Sequence, residues 1–220
     1  MAAYNVTKEK DGVIYEVTIN NTLIVKDAGH AKYTNLMIPA EVQGLPVVGV
    51  APRAFVGSKA KTVLFPASLV SVGRNAFYGN GNIKTVNFTA TEVSIAEGAF
   101  EGCFKLQKVR AIKLRLDGPR VFNRCKALEE FDARVFGIVY VHCFANCKRL
   151  GVLKFCDDIT IMEEAFYGCM SLKQFYFESN ANIYPAVTKF IEKRTIFCKP
   201  DSPLVELAYS GVDVRMGSFQ

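Results

Sequence analysis

One phenylalanine returns at a fixed interval through most of the chain. It stands at Phe55, Phe77, Phe100, Phe122, Phe144 and Phe166, at spacings of 22, 23, 22, 22 and 22 residues. Cysteine follows three residues after each of the last four, as Cys103, Cys125, Cys147 and Cys169. A small residue precedes most of them: Ala54, Ala76, Ala99 and Ala165, with Val121 and Cys143 as departures. A constant period of this size is the signature of a repeat array, because one unit cannot bury its own apolar face and must stack on its neighbours.

Each phenylalanine is followed by a short polar or glycine-containing link, then by apolar-x-x-apolar-x-apolar. The segments begin at Ala60, Ile83, Leu106, Leu128, Leu150 and Leu172 and end at Phe65, Phe88, Ala111, Ala133, Phe155 and Phe177. Their last four residues alternate, which is the two-residue period of a strand. A second apolar pair precedes most phenylalanines: Val48/Val50, Val70/Val72, Val93/Ile95 and Ile159/Ile161. Leu114/Leu116 is out of place by one residue, and near Phe144 only Val139 keeps position. The stretch 112–122 is therefore the least regular, and a distorted coil is expected there.

The two ends leave the period. Val13, Tyr15, Val17 and Ile19 alternate, Asn20-Asn21 marks a turn, and Thr22 to Val25 reads as a returning strand. This hairpin reads as a cap over the first repeat, because an open solenoid end exposes core. Leu36-Met37-Ile38 reads as the first strand of the array. At the other end Thr195–Cys198 reads as a strand. Ser202-Pro203 and Gly211 are start and stop signals for a short helix between them. The chain divides into an N-terminal cap (1–45), about six repeats of 22–23 residues (46–178) and a C-terminal cap (179–220), all one structural domain.

At this point the repeats resemble a known family. Val-Gly-Arg-Asn-Ala-Phe-Tyr-Gly (72–79) and Ala-Phe-Tyr-Gly-Cys-Met-Ser-Leu-Lys-Gln-Phe (165–175) are similar to the BspA-like leucine-rich repeat proteins. The resemblance covers about 36–215. It implies a right-handed leucine-rich repeat solenoid with a parallel β-sheet on the concave side and short irregular or 3-10 convex segments. It also implies non-enzymatic protein–protein interaction by adhesion proteins, often at the cell surface or secreted. The general leucine-rich pattern places Asn or Cys eight residues after its first Leu. Here that place holds Thr91, Leu114, Phe136, Asp158 and Asn180, so no regular side-chain ladder is expected there.

With 50% hydrophobic and 22% charged residues the chain is globular. It holds no apolar run near the roughly 18 residues of a membrane span. Met1 to Gly12 carries Lys8 and Lys10 without an apolar stretch behind them, which does not read as a secretory leader. As it stands the chain reads as cytoplasmic, whereas the resemblance favours the surface. Seven cysteines, four in register with the repeat, read as buried small residues and not as a disulfide framework.

The alternation leaves one set of side chains outside the first strand of each repeat. The candidate partner-binding residues are Thr85, Asn87, Lys108, Arg110, Glu130, Asp132, Lys154, Gln174 and Tyr176. Six strands stacked at about 4.8 Å give a face roughly 25–30 Å long, and concave solenoid faces are where such proteins bind. Lys108/Arg110 and Glu130/Asp132 also have the signs to pair across neighbouring strands. The expected partner is a protein bound by a monomer, with no cofactor.

Two other readings carry less. Lys105, Lys108, Arg110, Lys113, Arg115, Arg120, Arg124 and Lys126 form a basic stretch that reads first as a solvated face, and otherwise as a contact for an acidic protein, a nucleic acid or an anionic membrane. Nucleic-acid grooves interleave exposed aromatics for stacking, and Phe104 and Phe122 read as core. His142-Cys143 with Cys147 is the nearest thing to a metal or nucleophile site. Zinc sites take four ligands, Cys147 belongs to the buried row, and a Cys–His pair needs facing side chains. An enzyme around His142 and Cys143 is the weaker alternative. A structural segment of a larger assembly is the other.

Overall fold

The computed structural model describes residues 7–178, 181–183, 187, 190–191 and 194–217. Asn180 lies outside them. The alternating segments pair in register as two parallel ladders that share one core.

The first ladder has nine strands among the described residues: Asn35–Met37, Thr62–Phe65, Thr85–Phe88, Lys108–Asp117, Glu130–Val139, Val152–Ile161, Gln174–Phe177, Thr195–Cys198 and Asp213–Met216. The segments before the phenylalanines build the other ladder, although Val70, read as a member of an apolar pair, is 61% exposed and Leu69 is buried in its stead. This ladder runs from Leu23–Asp27 through Leu45–Val50, Ser71–Val72 and Glu92–Ala96. It then continues through the C-terminal halves of the three ten-residue strands to Ala181–Ile183. Both ladders therefore reach beyond residues 46–178. Irregular backbone is concentrated in the phenylalanine turns that close each coil.

Stacking the turns puts the six phenylalanines in a column of nearly parallel rings. Ring centroids are 4.2, 4.7, 5.2, 5.4 and 6.1 Å apart from Phe55 to Phe166. All are buried. The Phe100–Phe122 rung is the most parallel, at 5°, so the irregularity expected before Phe122 does not reach this column.

Each turn holds its phenylalanine between two residues of left-handed backbone. Two places before the ring stand Arg53, Asn75, Gly98, Arg120, His142 and Glu164, with φ between 52° and 63°. Two places after it stand Gly57, Gly79, Gly102, Arg124, Asn146 and Gly168, with φ between 61° and 76°. Only glycine adopts this conformation without steric cost, which explains four glycines in the second row. The Phe N–H donates across to the next coil: Phe100 to Val121 O at 2.9 Å, Phe122 to Cys143 O at 2.7 Å.

The cysteines are not passive filler. Cys103, Cys125, Cys147 and Cys169 each donate Sγ–H to the carbonyl oxygen of the preceding coil's phenylalanine, at 3.0, 3.1, 3.1 and 2.9 Å. The same carbonyl already accepts a backbone N–H three residues ahead, as in Cys125 N to Phe122 O at 3.2 Å. Both lone pairs of a buried carbonyl are thus used. In the second repeat Asn80 takes the position and its Nδ2 donates to Phe55 O at 2.8 Å. A regular side-chain ladder does exist, three residues after each phenylalanine from Phe77 to Phe166, and not at the place the general pattern indicates. All seven cysteines are free thiols and buried.

The ends follow their sequence signals. Val13–Val17 and Leu23–Asp27 form an antiparallel hairpin. The strand stops short of Ile19, which is 99% exposed in the turn. Ser202 caps a 3-10 helix at Pro203–Ser210 by accepting from Leu204 N–H, and Gly211 closes it at φ 84°.

Candidate functional site

Strand register places the candidate residues on the outside of the first ladder. Thr85 lies beside Lys108 and Asn87 beside Arg110. Lys108 then lies beside Glu130, and Arg110 beside Asp132. These six make one continuous block. Lys108 Nζ reaches Glu130 Oε1 at 2.5 Å and Arg110 reaches Glu130 Oε2 at 3.5 Å. The hydrogen bond from Lys108, aided by both positive charges, holds the Glu130 carboxyl below its usual range. The cross-strand pairing allowed by the sequence therefore forms. Such exposed pairs set register more than they stabilise. Asn87 brings a different feature: its Oδ1 is buried with no hydrogen-bond partner.

The second block is Lys154, Gln174 and Tyr176, with Lys154 beside Tyr176. Its junction with the first differs from a constant repeat interval. Lys154 pairs in register with Arg134, two residues beyond Asp132. Asp132 reaches Lys154 only diagonally, at 3.8 Å. The slip arises because Lys108–Asp117, Glu130–Val139 and Val152–Ile161 run straight through the corner between the ladders. Register shifts interrupt them at Arg110/Lys113 and Val135/Gly137. The distortion expected near residue 112 takes this form. Arg134 joins the face as a residue the sequence reading missed.

The face also continues past Tyr176. Gln174 pairs with Thr195 and then Asp213, and Tyr176 with Phe197 and then Arg215. The Tyr176 and Phe197 rings stack at 4.3 Å and 3°. Arg215 and then Thr195 hydrogen-bond Asp213 and hold its carboxyl below the usual range. The strand signal at Thr195–Cys198 was readable, but the row it extends was not.

The basic stretch does not form one patch. Lys108 and Arg110 lie on the first ladder, and Arg115 lies on the second beside Ser94 and Asp117. Arg120 lies at the phenylalanine turns, 2.6 Å from Glu97 and 3.6 Å from Glu101. Phe104 is not core: it is 50% exposed, with Lys105 over its ring.

His142 and Cys143 are turned apart by the left-handed backbone at His142. The imidazole Nε2 sits 2.6 Å from Glu164 Oε2 on the outside. The Cys143 thiol points inward to Gly118 O at 3.2 Å, and burial pushes its pKa up to about 12. A thiol in that state is a poor nucleophile. Among the described residues no three His, Cys, Asp or Glu side chains cluster to hold a metal ion.

Two parallel ladders wound on a shared apolar core, with polar and charged side chains in rows outside, define a leucine-rich repeat solenoid. The family model of the BspA type leucine rich repeat region matches in six copies, over residues 48–173 and 118–188, and the chain belongs to that family. Among solved structures it is similar to the T. pallidum leucine-rich repeat protein TpLRR, at 19% identity and TM-score 0.59, covering 81% of this chain and 86% of that one. That likeness bears on the fold alone. It is also similar to a leucine-rich repeat protein from Bacteroides capillosus, at 23% identity and TM-score 0.49, covering 58% and 98%. A third is a leucine rich cell surface protein from Faecalibacterium prausnitzii, at 12% identity and TM-score 0.39, covering 100% and 97%. No curated protein matches the chain. Among the described residues no helix is long and apolar enough to cross a membrane.

Proposed function

We propose that the chain is a non-enzymatic interaction module that binds a partner protein on the outer face of the first ladder. Membership of a leucine-rich repeat family supports the general role. The register supports this face in particular. Thr85, Asn87, Lys108, Arg110, Glu130, Asp132, Lys154, Gln174 and Tyr176 are held at strand spacing on a rigid backbone, so little order remains to be imposed on binding. The sign alternation from Lys108/Arg110 to Glu130/Asp132 and back to Lys154 suits discrimination by charge complementarity. Tyr176 supplies the aromatic anchor that interface centres favour.

The module acts as a monomer, in an adhesive role at a cell surface. The compartment rests on the family resemblance alone and is tested by fractionating cells that express the native gene. Binding is tested by replacing Lys108, Arg110, Glu130 and Tyr176 together with Ala. Capture of a partner from cell-surface extract should be lost while circular dichroism stays that of the native fold. A second-ladder control, Glu92→Ala with Arg115→Ala, should capture as before. Equal capture by both variants contradicts the assignment of the face.

A further inference from the structure

The links that lead from each phenylalanine turn into the first ladder carry an uneven charge. They are residues 57–61, 79–84, 102–107, 124–129, 146–151 and 168–173. Together they hold nine Lys and Arg side chains and one carboxylate, Glu129. The whole chain is only +6, so the rest of it is slightly acidic. Backbone bonds stack these links on one another. Lys84 N–H donates to Lys61 O at 2.7 Å, Gln107 N–H to Lys84 O at 2.8 Å and Lys173 N–H to Gly151 O at 3.0 Å. Coils spaced at about 4.8 Å therefore draw the charges into a straight edge roughly 24 Å long. Lys105, Arg124 and Lys126, left over when the basic stretch divides, belong to this edge, and all nine cations are exposed.

These cations lack the carboxylates that cations elsewhere have. Glu129 is taken by Arg149 at 2.5 Å. Carboxylates on flanking rows are engaged as well: Glu101 by Arg120 and Asn123, and Glu130 by Lys108 and Arg110. Among the described residues Lys59, Lys61, Lys84, Lys126, Lys148 and Lys173 form no ion pair. At the start of the same turns the pattern is the reverse. There Arg74 and Arg120 share Glu97, and His142 meets Glu164.

We propose that this edge docks the chain on an anionic lipid bilayer. A row of like charges repels itself unless an anionic surface neutralises it. Seven of the nine cations are lysines. Lysines are flexible point charges that suit the diffuse charge of headgroups, whereas carboxylate recognition favours the arginine fork. The same turns expose Tyr78, Phe104, Tyr167 and Met170. A bilayer interface takes up aromatic and apolar side chains between its headgroups, and a soluble polyanion leaves them in water. A single-stranded nucleic acid stacks its bases on open rings. The Phe104 ring is not open: its tip covers Gly81, where a β-carbon would sit 2.9 Å from it, and Lys105 lies over it. The edge shares no residue with the face proposed for partner binding, and the inference does not rest on that reading.

The test is co-sedimentation of the full chain with extruded vesicles, made of phosphatidylcholine alone or with about one third phosphatidylserine. The chain should sediment with the acidic vesicles and stay in solution with the neutral ones. Raising salt from about 0.1 M to about 1 M, which shortens the screening length from about 10 Å to about 3 Å, should release most of it. Lys126→Gln with Lys148→Gln should weaken binding about tenfold or more, since each lysine at an anionic surface contributes about fivefold. Arg134→Gln with Lys154→Gln removes the same charge from the first ladder and should leave binding within about twofold of the original. Circular dichroism checks the fold, and Lys84→Gln with Lys173→Gln replaces the edge pair if that pair does not fold. Equal sedimentation with both vesicles, equal losses from the edge and ladder pairs, or no sedimentation with acidic vesicles overturns the proposal. Tighter binding to a single-stranded oligonucleotide or to polyglutamate than to acidic vesicles overturns the bilayer assignment. None of these outcomes touches the four-residue capture test, so the edge and the binding face fail separately.

Discussion

The Cys147 thiol donates to the carbonyl oxygen of Phe122, one coil away, at 3.1 Å. That bond and its three equivalents tie each phenylalanine turn to the next through side chains as well as backbone. Cys147→Ala should lower stability by about 1–3 kcal/mol, from a buried carbonyl left short of a donor and a small cavity. Asn80→Ala should cost more. Asn80 donates to Phe55 O and also accepts from the N–H groups of Asn82 and Ile83 at 2.9 and 3.1 Å. Urea unfolding of both variants checks the order; a smaller loss for Asn80→Ala contradicts it.

Stability should fall at alkaline pH. Burial pushes the thiols of Cys103 and Cys143 up to about 12 from an ordinary value near 9. The folded chain holds these protons where the unfolded chain releases them. The contribution is complete below about pH 9 and is lost as pH rises from there toward about 12. The loss is about 1.4 kcal/mol per pH unit for each thiol. Urea midpoints at pH 8, 9.5 and 10.5 should decline progressively. The same burial means that thiol reagents should label Cys103, Cys125 and Cys169 only after denaturant is added.

Phe122 sits fully buried between Phe100 and Phe144, at centroid distances of 5.2 and 5.4 Å. Phe122→Ala should cost about 3–5 kcal/mol, the usual range for a buried phenylalanine. A loss under about 1 kcal/mol would mean that the column is not the core.

Arg124 occupies the left-handed row that is otherwise glycine, apart from Asn146, with φ 61°. Left-handed backbone disfavours a side chain by about 1–2 kcal/mol, partly offset by the chain entropy a glycine loses. Arg124→Gly should therefore raise stability by about 0.5–1 kcal/mol, and Gly79→Ala should lower it by about 1 kcal/mol. Paired thermal melts measure both signs directly.

Much of this fold is legible in the sequence because a solenoid repeats its constraints. Val63, Val86 and Val109 announce the inward side of a strand each time, and Ser202, Pro203 and Gly211 announce the terminal helix. Other features hide for identifiable reasons. A cysteine that fills space and one that donates a hydrogen bond look alike, so the role of Cys125 needed geometry. Arg120, Arg124 and His142 conceal left-handed backbone that glycine would have advertised. Phe104 has the composition of core but sits outside the turn. Ala111 and Ala133 stand visibly where other repeats end their strand segment in phenylalanine. The slip that sets Arg134 beside Lys154 is not visible there, because it depends on strands that continue from one ladder into the other with a shifted register. Of the candidate face, the block from Thr85 to Asp132 was readable from alternation alone, because its register follows the repeat interval.

The binding face is tested most directly with a photo-reactive phenylalanine analogue introduced at single sites. Asp132 on the first ladder and Glu92 and Arg115 on the second serve as positions, in the intact chain exposed to cell-surface extract. A discrete cross-linked adduct is expected from position 132, competed away by excess unmodified chain, and none from 92 or 115. Equal adducts from both ladders, or adducts from 92 and 115 alone, would contradict the assignment of the face.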